Sequence, residues 1–426
     1  MGYPLKTILH LSSYDQGGAG LAAYRLHVNL RAAGYRSVMA VGNRRQNDPD
    51  VHAVPAVAPS RLRVLAARAR LKLMANQDYY FQDQSLGAVS SARAILNRVK
   101  VIPDAIVVHW VSHFVSAEVV REMSLLTGAP VIWYLLDMAP LTGGCHYAWT
   151  CDGYTRDCGM CPALSSLHAY DRSYRTLQAK RRALEGIDLR VVAGSEWLDR
   201  QARRSALFRD RAVTKILLSV APDVFAPGSK TVARRELGLP EDRKIILFGN
   251  QGLTLKRKGM SLLLDALSIF NNESPALARN VTVAIAGTMA ADYRLPFEYR
   301  GLGFLTTDAD LARAYRAADV FVCPSIEDSG PMMINEAIMT GTPVVSFEMG
   351  VAPDLVESGV TGYLARLRDS ADLAHGLSFV LSRASQEYEA LALSCRNLGL
   401  CACHPDRQVA QFAAVLDMPP SQGVRA

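Results

Sequence analysis

The 426-residue chain contains no uncharged apolar run of the length that a membrane-spanning helix needs, about 20 residues. The stretch Met123 to Leu136 is too short and is broken by Gly128 and Pro130, so a helical span is excluded. The opening Met1-Gly2-Tyr3-Pro4-Leu5-Lys6, ahead of a strand-like Thr7 to Leu11, lacks the apolar core and small-residue cleavage site of a secretory signal. A cytoplasmic location is therefore expected, with the eight cysteines present as thiols or metal ligands and not as disulfides. No internal repeat or low-complexity tract is visible. Aromatic residues make up only 8% of the chain. No reading helix, zinc finger or ribonucleoprotein motif accompanies its basic residues, which argues against a nucleic-acid partner.

What is present is globular: half of the residues are apolar and a fifth are charged. The length exceeds one ordinary hydrophobic core, so two domains are expected. Strand-like runs alternate with helical patterns, the signature of a doubly wound α/β architecture with parallel strands. The strand candidates of the first half are Thr7 to Leu11, Ser37 to Val41, Ala105 to His109, Val131 to Leu135 and Leu189 to Ala193. Those of the second half are Lys244 to Phe248, Thr282 to Ala286, Asp319 to Cys323 and Thr342 to Phe347. Between them prolines and glycine accumulate from Lys215 to Gly228 and helical periodicity stops. This predicts domains over 1–220 and 221–426, the first with a cysteine-rich insertion over 142–164, and a last helix able to pack back on the first domain. Ligands of open α/β sheets bind beyond the carboxyl ends of the strands, so a cleft site is expected, with its residues just after strands.

The richest segment runs Pro324-Ser325-Ile326-Glu327-Asp328-Ser329-Gly330-Pro331-Met332-Met333-Ile334-Asn335-Glu336 and on through Thr340-Gly341-Thr342-Pro343 into another apolar run. It reads as a buried strand, a glycine-proline loop and a helix with an acid on its first turns. A helix N-terminus offers unpaired N–H donors and the positive end of a dipole, which suits a diphosphate. Asp328 and Glu336 can accept hydrogen bonds from sugar hydroxyls, so the segment suits a phosphorylated sugar. The bland alternative is an ordinary strand–loop–helix connection with solvated acids.

Other candidates follow strands in the same way. Ser12 to Gly20 includes the pair Gly17-Gly18 ahead of a helical run, where backbone can approach a ligand closely. It is neither a Walker A loop nor a dinucleotide fingerprint. His109 ends a strand and can offer an imidazole to a sugar hydroxyl, although a lone histidine is more often structural. Lys256-Arg257-Lys258-Gly259 precedes a helical run, and cations there can neutralise a leaving diphosphate; a solvated basic turn is the alternative.

Cys145, Cys151, Cys158 and Cys161 lie within 17 residues and close on a Cys-x-x-Cys knuckle. Four thiolates so spaced can enclose a tetrahedral zinc, a structural site with no position left for water. Cys395, Cys401, Cys403 and His404 could form a second cluster, but scattered buried thiols are the preferred reading. From Val51 to Gln77 there are five cations, Arg61, Arg63, Arg68, Arg70 and Lys72, and no acid. With apolar residues at helical spacing between them, this stretch can lie on an anionic membrane surface or form a core helix with a solvated basic face.

Together these residues resemble the retaining glycosyltransferases of family 4, with two Rossmann-like domains facing across a cleft in the GT-B arrangement. The likeness is greatest to bacterial exopolysaccharide and lipopolysaccharide transferases of the colanic-acid type. These share the Thr142-Gly143-Gly144-Cys145-His146-Tyr147 turn, the Cys158-Gly159-x-Cys161-Pro162 knuckle and Ala193-Gly194-Ser195-x-Trp197. The resemblance implies that Glu336 holds the ribose, Asp328 the transferred sugar and the Ser329-Gly330-Pro331-Met332 backbone the phosphates. It makes Lys258 the phosphate-clamp lysine, Gly17 and Gly18 the N-terminal glycine loop and His109 the cleft histidine.

The chain departs from that pattern at Gly252, where an arginine is expected and Lys256 or Arg257 can substitute. It departs again at Leu136, where related chains carry histidine, and at Leu218-Ser219 and Ala221, which replace an Asn-Gly-Asp run. The implied reaction is transfer, with retention, from a nucleotide-diphosphate sugar to a saccharide or polyprenyl-linked saccharide, with no catalytic cofactor, at the inner face of the membrane. Rival readings are a sugar-nucleotide epimerase of the same build and, motivated by the missing arginine and histidine, an inactive sugar-nucleotide-binding scaffold.

Overall fold

A computed structural model describes residues 6–55, 65, 76–82, 90–249, 255–287 and 294–419. The basic stretch at 61–72 lies outside them except for Leu65, as does Gly252. The chain divides into two compact units, Met1–Leu217 with Gln408–Ala426, and Leu218–Arg407.

The first unit carries a seven-stranded parallel sheet. Its strands are β1 (Thr7–Tyr14), β2 (Arg36–Asn43), β3 (Val51–Ala53), β4 (Ala105–Val108), β5 (Val131–Leu135), β6 (Leu189–Ala193) and β7 (Val213–Lys215), in the order β3-β2-β1-β4-β5-β6-β7. β4, β5 and β6 are buried along their whole length, as expected of parallel strands covered on both faces. Ile8 of β1 pairs with Ser37 on one side and Ala105 on the other. Part of the last helix, Pro405–Leu416, belongs to this unit: Arg190 in β6 donates to the Val415 carbonyl at 2.6 Å, and Gln408 donates to the Tyr134 hydroxyl at 3.2 Å.

The second unit repeats the plan with β8 (Lys244–Gly249), β9 (Val281–Ala286), β10 (Glu298–Gly303), β11 (Val320–Cys323), β12 (Val344–Phe347) and β13 (Gly362–Ala365). Their order, β10-β9-β8-β11-β12-β13, is again all parallel. Asp319, just before β11, is buried with Arg234 at 2.6 Å and Lys230 at 2.8 Å, and it accepts the Ile245 N–H of β8 at 2.7 Å. That network ties the start of β11 to its neighbour β8 and to the helix Lys230–Glu236.

Every expected strand is present. Both sheets have the doubly wound Rossmann order, in which the chain first steps one way from the central strand and then returns to its other side. The reversal points lie between β1 and β4 and between β8 and β11. Ligands of such sheets bind beyond the strand ends at these points. No helix among the described residues is long and apolar enough to cross a membrane.

Candidate active site

In the second unit the reversal point brings three expected residues together, Arg257, Lys258 and Asp328, at the start of the helix that carries Glu336. Lys256–Lys258 forms a single turn ahead of the helix Met260–Glu273. Its end at Gly259 has φ +68, and a Cβ there would lie 1.9 Å from the Pro324 carbonyl oxygen, so only glycine permits the approach. The Arg257 carbonyl accepts the N–H of Ile326 at 2.8 Å, which pins this turn to the loop after β11. In consequence Lys258 Nζ stands 2.5 Å and Arg257 Nη1 3.1 Å from Asp328 Oδ2.

Asp328 is buried, and its other oxygen accepts the Gly330 N–H at 3.2 Å. Burial pushes its carboxyl group up, but Lys258 and Arg257 more than offset that and hold it below the usual carboxylate range. Ser329 is buried, while Gly330, Pro331 and Met332 are half-buried. Pro331 caps the helix Met332–Thr340 without a side-chain hydrogen bond to its N-terminal amides, and Gly350 packs behind the loop, where a Cβ would meet the Asp328 carbonyl at 2.9 Å. Glu336 lies buried on the same helix and accepts a hydrogen bond from the Tyr315 hydroxyl at 3.1 Å. The arrangement joins two cations, an amide-lined helix start and two buried acids, a set able to bind a diphosphate and hydroxyl groups.

In the first unit, Gly17 and Gly18 begin the helix Gly17–Ala32 after β1, with Gln16 giving no side-chain cap. Gly18 faces open space, and a Cβ at Gly20 would meet the Tyr14 carbonyl at 2.7 Å. His109 follows β4 but is buried and pairs with His10 at 2.9 Å through Nε2. Burial lowers its pKa to about 3, so it is neutral. Among the described residues its Nδ1 has no hydrogen-bond partner, and any bond to a sugar would use that atom.

The four cysteines Cys145, Cys151, Cys158 and Cys161 line one cavity of about 20 Å3. Backbone N–H groups of Gly153, Gly143 and Leu164 donate to the sulfurs of Cys151, Cys158 and Cys161 respectively. Cys145 donates to the Cys161 sulfur and draws its pKa down to about 7, whereas burial pushes Cys158 up to about 12. Among the described residues no three or more His, Cys, Asp or Glu side chains are grouped so as to hold a metal ion.

Three partners went unnoticed in the sequence. Tyr315 reaches Glu336 from the helix Asp308–Ala317, at a helical position that reads simply as core. His10, alternating along β1, carries no motif. Asp137, just after β5, binds His146 at 2.5 Å and the Trp110 indole N–H at 2.7 Å; in the sequence it is marked only by its neighbour Leu136, and His146 only as part of the Thr142 to Tyr147 turn.

Comparisons with known proteins agree with this architecture. A model of the family described as "Glycosyl transferases group 1" matches residues 229–392, the segment holding Arg257, Lys258, Asp328 and Glu336. A D-inositol 3-phosphate glycosyltransferase of Geodermatophilus obscurus is 36% identical over 178 residues, 38% of this chain and 38% of its own. The protein of the same description from Mycolicibacterium smegmatis is 34% identical over 183 residues, 39% of this chain and 41% of its own. The chain thus spans less than half the length of the curated relatives it matches. Among solved structures, Anabaena Alr3699/HepE in complex with UDP-glucose has a TM-score of 0.65 at 17% identity, covering 96% of this chain and 99% of that one. WaaG, a glycosyltransferase involved in lipopolysaccharide biosynthesis, has a TM-score of 0.63 at 14% identity over 97% of this chain and 100% of its own. The fold is the two-domain Rossmann-like α/β fold of GT-B glycosyltransferases.

Proposed function

We propose that the protein is a retaining hexosyltransferase that moves a sugar from a nucleotide-diphosphate sugar to a hydroxyl of a saccharide or polyprenyl-linked saccharide, in bacterial surface-polysaccharide synthesis. The observation that carries this reading is the convergence of Lys258 and Arg257 on Asp328 at the start of the Glu336 helix, inside the segment that matches the glycosyltransferase family. In this reading the bond to the leaving diphosphate breaks first. Lys258, Arg257 and the N–H groups that open the helix Met332–Thr340 stabilise charge that grows in the transition state. A phosphate oxygen can take the proton of the incoming hydroxyl, so no side-chain nucleophile is needed. Glu336 holds the ribose, Asp328 the transferred sugar, and His109 offers Nδ1 to a hydroxyl. No cofactor takes part in this chemistry.

Melting-temperature shifts against a panel of sugar nucleotides identify the donor, and labelled donor with saccharide acceptors reads the reaction. A new glycosidic product of unchanged anomeric configuration is expected. Epimerised nucleotide without that product would favour an isomerase, and tight donor binding without turnover a scaffold. A second reading takes an inositol phosphate as the acceptor. It is favoured by the description of the curated relatives, and including inositol phosphate among the acceptors separates the two.

The thiols of Cys145, Cys151, Cys158 and Cys161 are proposed to hold a structural zinc. Their shared cavity and the N–H groups directed at three of the sulfurs support this. No three of the side chains are grouped so as to hold an ion as they stand, so binding one requires the sulfurs to rearrange. About one zinc per purified chain is expected by elemental analysis; none would remove this assignment. The protein is proposed to act in the cytoplasm, with the basic stretch at 61–72 lying against an anionic membrane.

A further inference from the structure

Four rings run in sequence along the carboxyl edge of the first unit's sheet. Tyr14 ends β1 and stacks on Trp110, which follows β4, with centroids 5.8 Å apart and planes at 29°. Trp110 packs on His146 at 5.6 Å, and His146 on Tyr80 at 4.5 Å. The outer rings are open to solvent, Tyr14 at 39% and Tyr80 at 54% exposure, and Trp110 is half-buried. Beneath them Asp137, buried after β5, accepts from the Trp110 indole at 2.7 Å and from His146 Nδ1 at 2.5 Å. Its second oxygen is taken by the Ala139 N–H at 2.9 Å. Gln82 completes the group: its Oε1 lies 3.1 Å from His146 Nε2, and its buried Nε2 has no partner among the described residues.

This is a rigid arrangement in an exposed place. The doubly bonded carboxylate fixes the indole and the imidazole together, so neither ring turns independently. Large aromatic surface left in water is unfavourable unless a ligand covers it. The location is the reversal point between β1 and β4, where ligands of such sheets bind. The polar groups joining the rings are a carboxylate, an imidazole and an amide. The carboxylate and the imidazole are satisfied within the group, which leaves the Gln82 amide Nε2 to meet a ligand; an amide suits a hydroxyl, whereas a phosphate would call for a cation, and none is among these groups.

We propose that Tyr14, Trp110 and Tyr80 form a stacking platform for a neutral pyranose ring, held in place by Asp137 and His146, with the Gln82 amide as its hydroxyl-reading group. The sugar's C–H face lies on the rings and a hydroxyl turns toward the Gln82 amide. The identification of that sugar as the acceptor rests on the glycosyltransferase reading given above; the saccharide site itself does not. The platform also separates the two acceptor readings, since it suits an uncharged saccharide better than an inositol phosphate.

Saturation-transfer NMR on the full-length chain, with the methyl pyranosides of glucose, galactose and mannose as probes, tests the platform. At least one probe should receive saturation at its ring C–H protons. Tyr14→Ala and Tyr80→Ala should each weaken that probe about 3- to 10-fold, whereas Tyr14→Phe and Tyr80→Phe, which keep the ring face, should bind it like the wild type. UDP-glucose melting shifts, measured on the same samples, check that the variants are folded and read the donor site separately. Absence of binding by all three probes, or alanine variants that bind as well as wild type, would overturn the inference. Pyranoside binding without any sugar-nucleotide shift would instead leave the platform standing and remove the glycosyltransferase reading.

Discussion

Lys258 Nζ lies 2.5 Å from Asp328 Oδ2, so the lysine assigned to a donor's phosphate is already engaged by a buried carboxylate. The pair is positioned by Gly259, whose closeness to Pro324 leaves no room for a side chain. On the proposed reading an incoming diphosphate would share the ammonium group with Asp328, whose carboxylate already fixes the position of that group.

Lys258→Ala should therefore lower turnover by roughly 100-fold or more, the loss typical of one charge-stabilising contact in a transition state. Steady-state kinetics with the donor found in the melting screen checks this, and near wild-type turnover would remove the assigned role. Gly259→Ala removes no charge but forces the turn away from Pro324, so it should cost at least about 10-fold in the same assay.

Tyr315 holds Glu336 through a hydrogen bond of 3.1 Å, with both residues buried. Glu336→Ala should weaken donor binding by about 1.5 to 3 kcal/mol, the range for hydrogen bonds to a charged group. Tyr315→Phe, which removes only the hydroxyl, should cost less, and it should raise the donor KM more than it lowers kcat. Equal donor affinity in Glu336→Ala and wild type, measured by calorimetry, would contradict this assignment.

Asp319 ties β11 to β8 and to the helix Lys230–Glu236 through Arg234 and Lys230. Asp319→Ala leaves the Arg234 guanidinium buried without its carboxylate. The expected loss is about 3 to 5 kcal/mol of stability in the second unit, read from urea unfolding of the full chain. A loss within experimental error would mean that the network relaxes without strain.

Acid should destabilise the first unit through its buried histidines. Burial lowers His109 to about 3 and His27 to about 4, and His10 is also well below its ordinary value. These groups stay neutral when folded while the unfolded chain takes up protons below about 6.5, so stability falls as the pH drops from about 6.5 toward 3. The slope reaches about 1.4 kcal/mol per pH unit for each histidine. Unfolding midpoints at pH 7 and pH 5 check the sign, and His109→Asn should flatten the dependence; a midpoint unchanged between the two pH values would contradict it.

The interior strands were legible as apolar runs because parallel strands covered on both faces need side chains of one kind throughout. The four strands that the sequence did not reveal, β3, β7, β10 and β13, are the edges of the two sheets. β10 is almost wholly exposed and the others are only partly buried. An edge strand needs apolar residues on few positions, so its run blends into loop composition. In the site, Asp328 and Lys258 stood out because loops after strands carry distinctive glycine, proline and charge patterns. Tyr315 did not, since a tyrosine on an amphipathic helix looks the same whether its hydroxyl meets water or a buried glutamate.

From its amino-acid order alone the chain determined two alternating α/β halves, the strand ends at which chemistry gathers and the residue types found there, because burial period and turn composition are local properties. Only the tertiary structure decided which of those residues meet: the pinning of Lys258 to Asp328, the closing of Tyr315 on Glu336 and the alignment of Tyr14, Trp110, His146 and Tyr80. Such meetings depend on strand order and loop path, which bring together side chains tens of residues apart, and no local pattern records them.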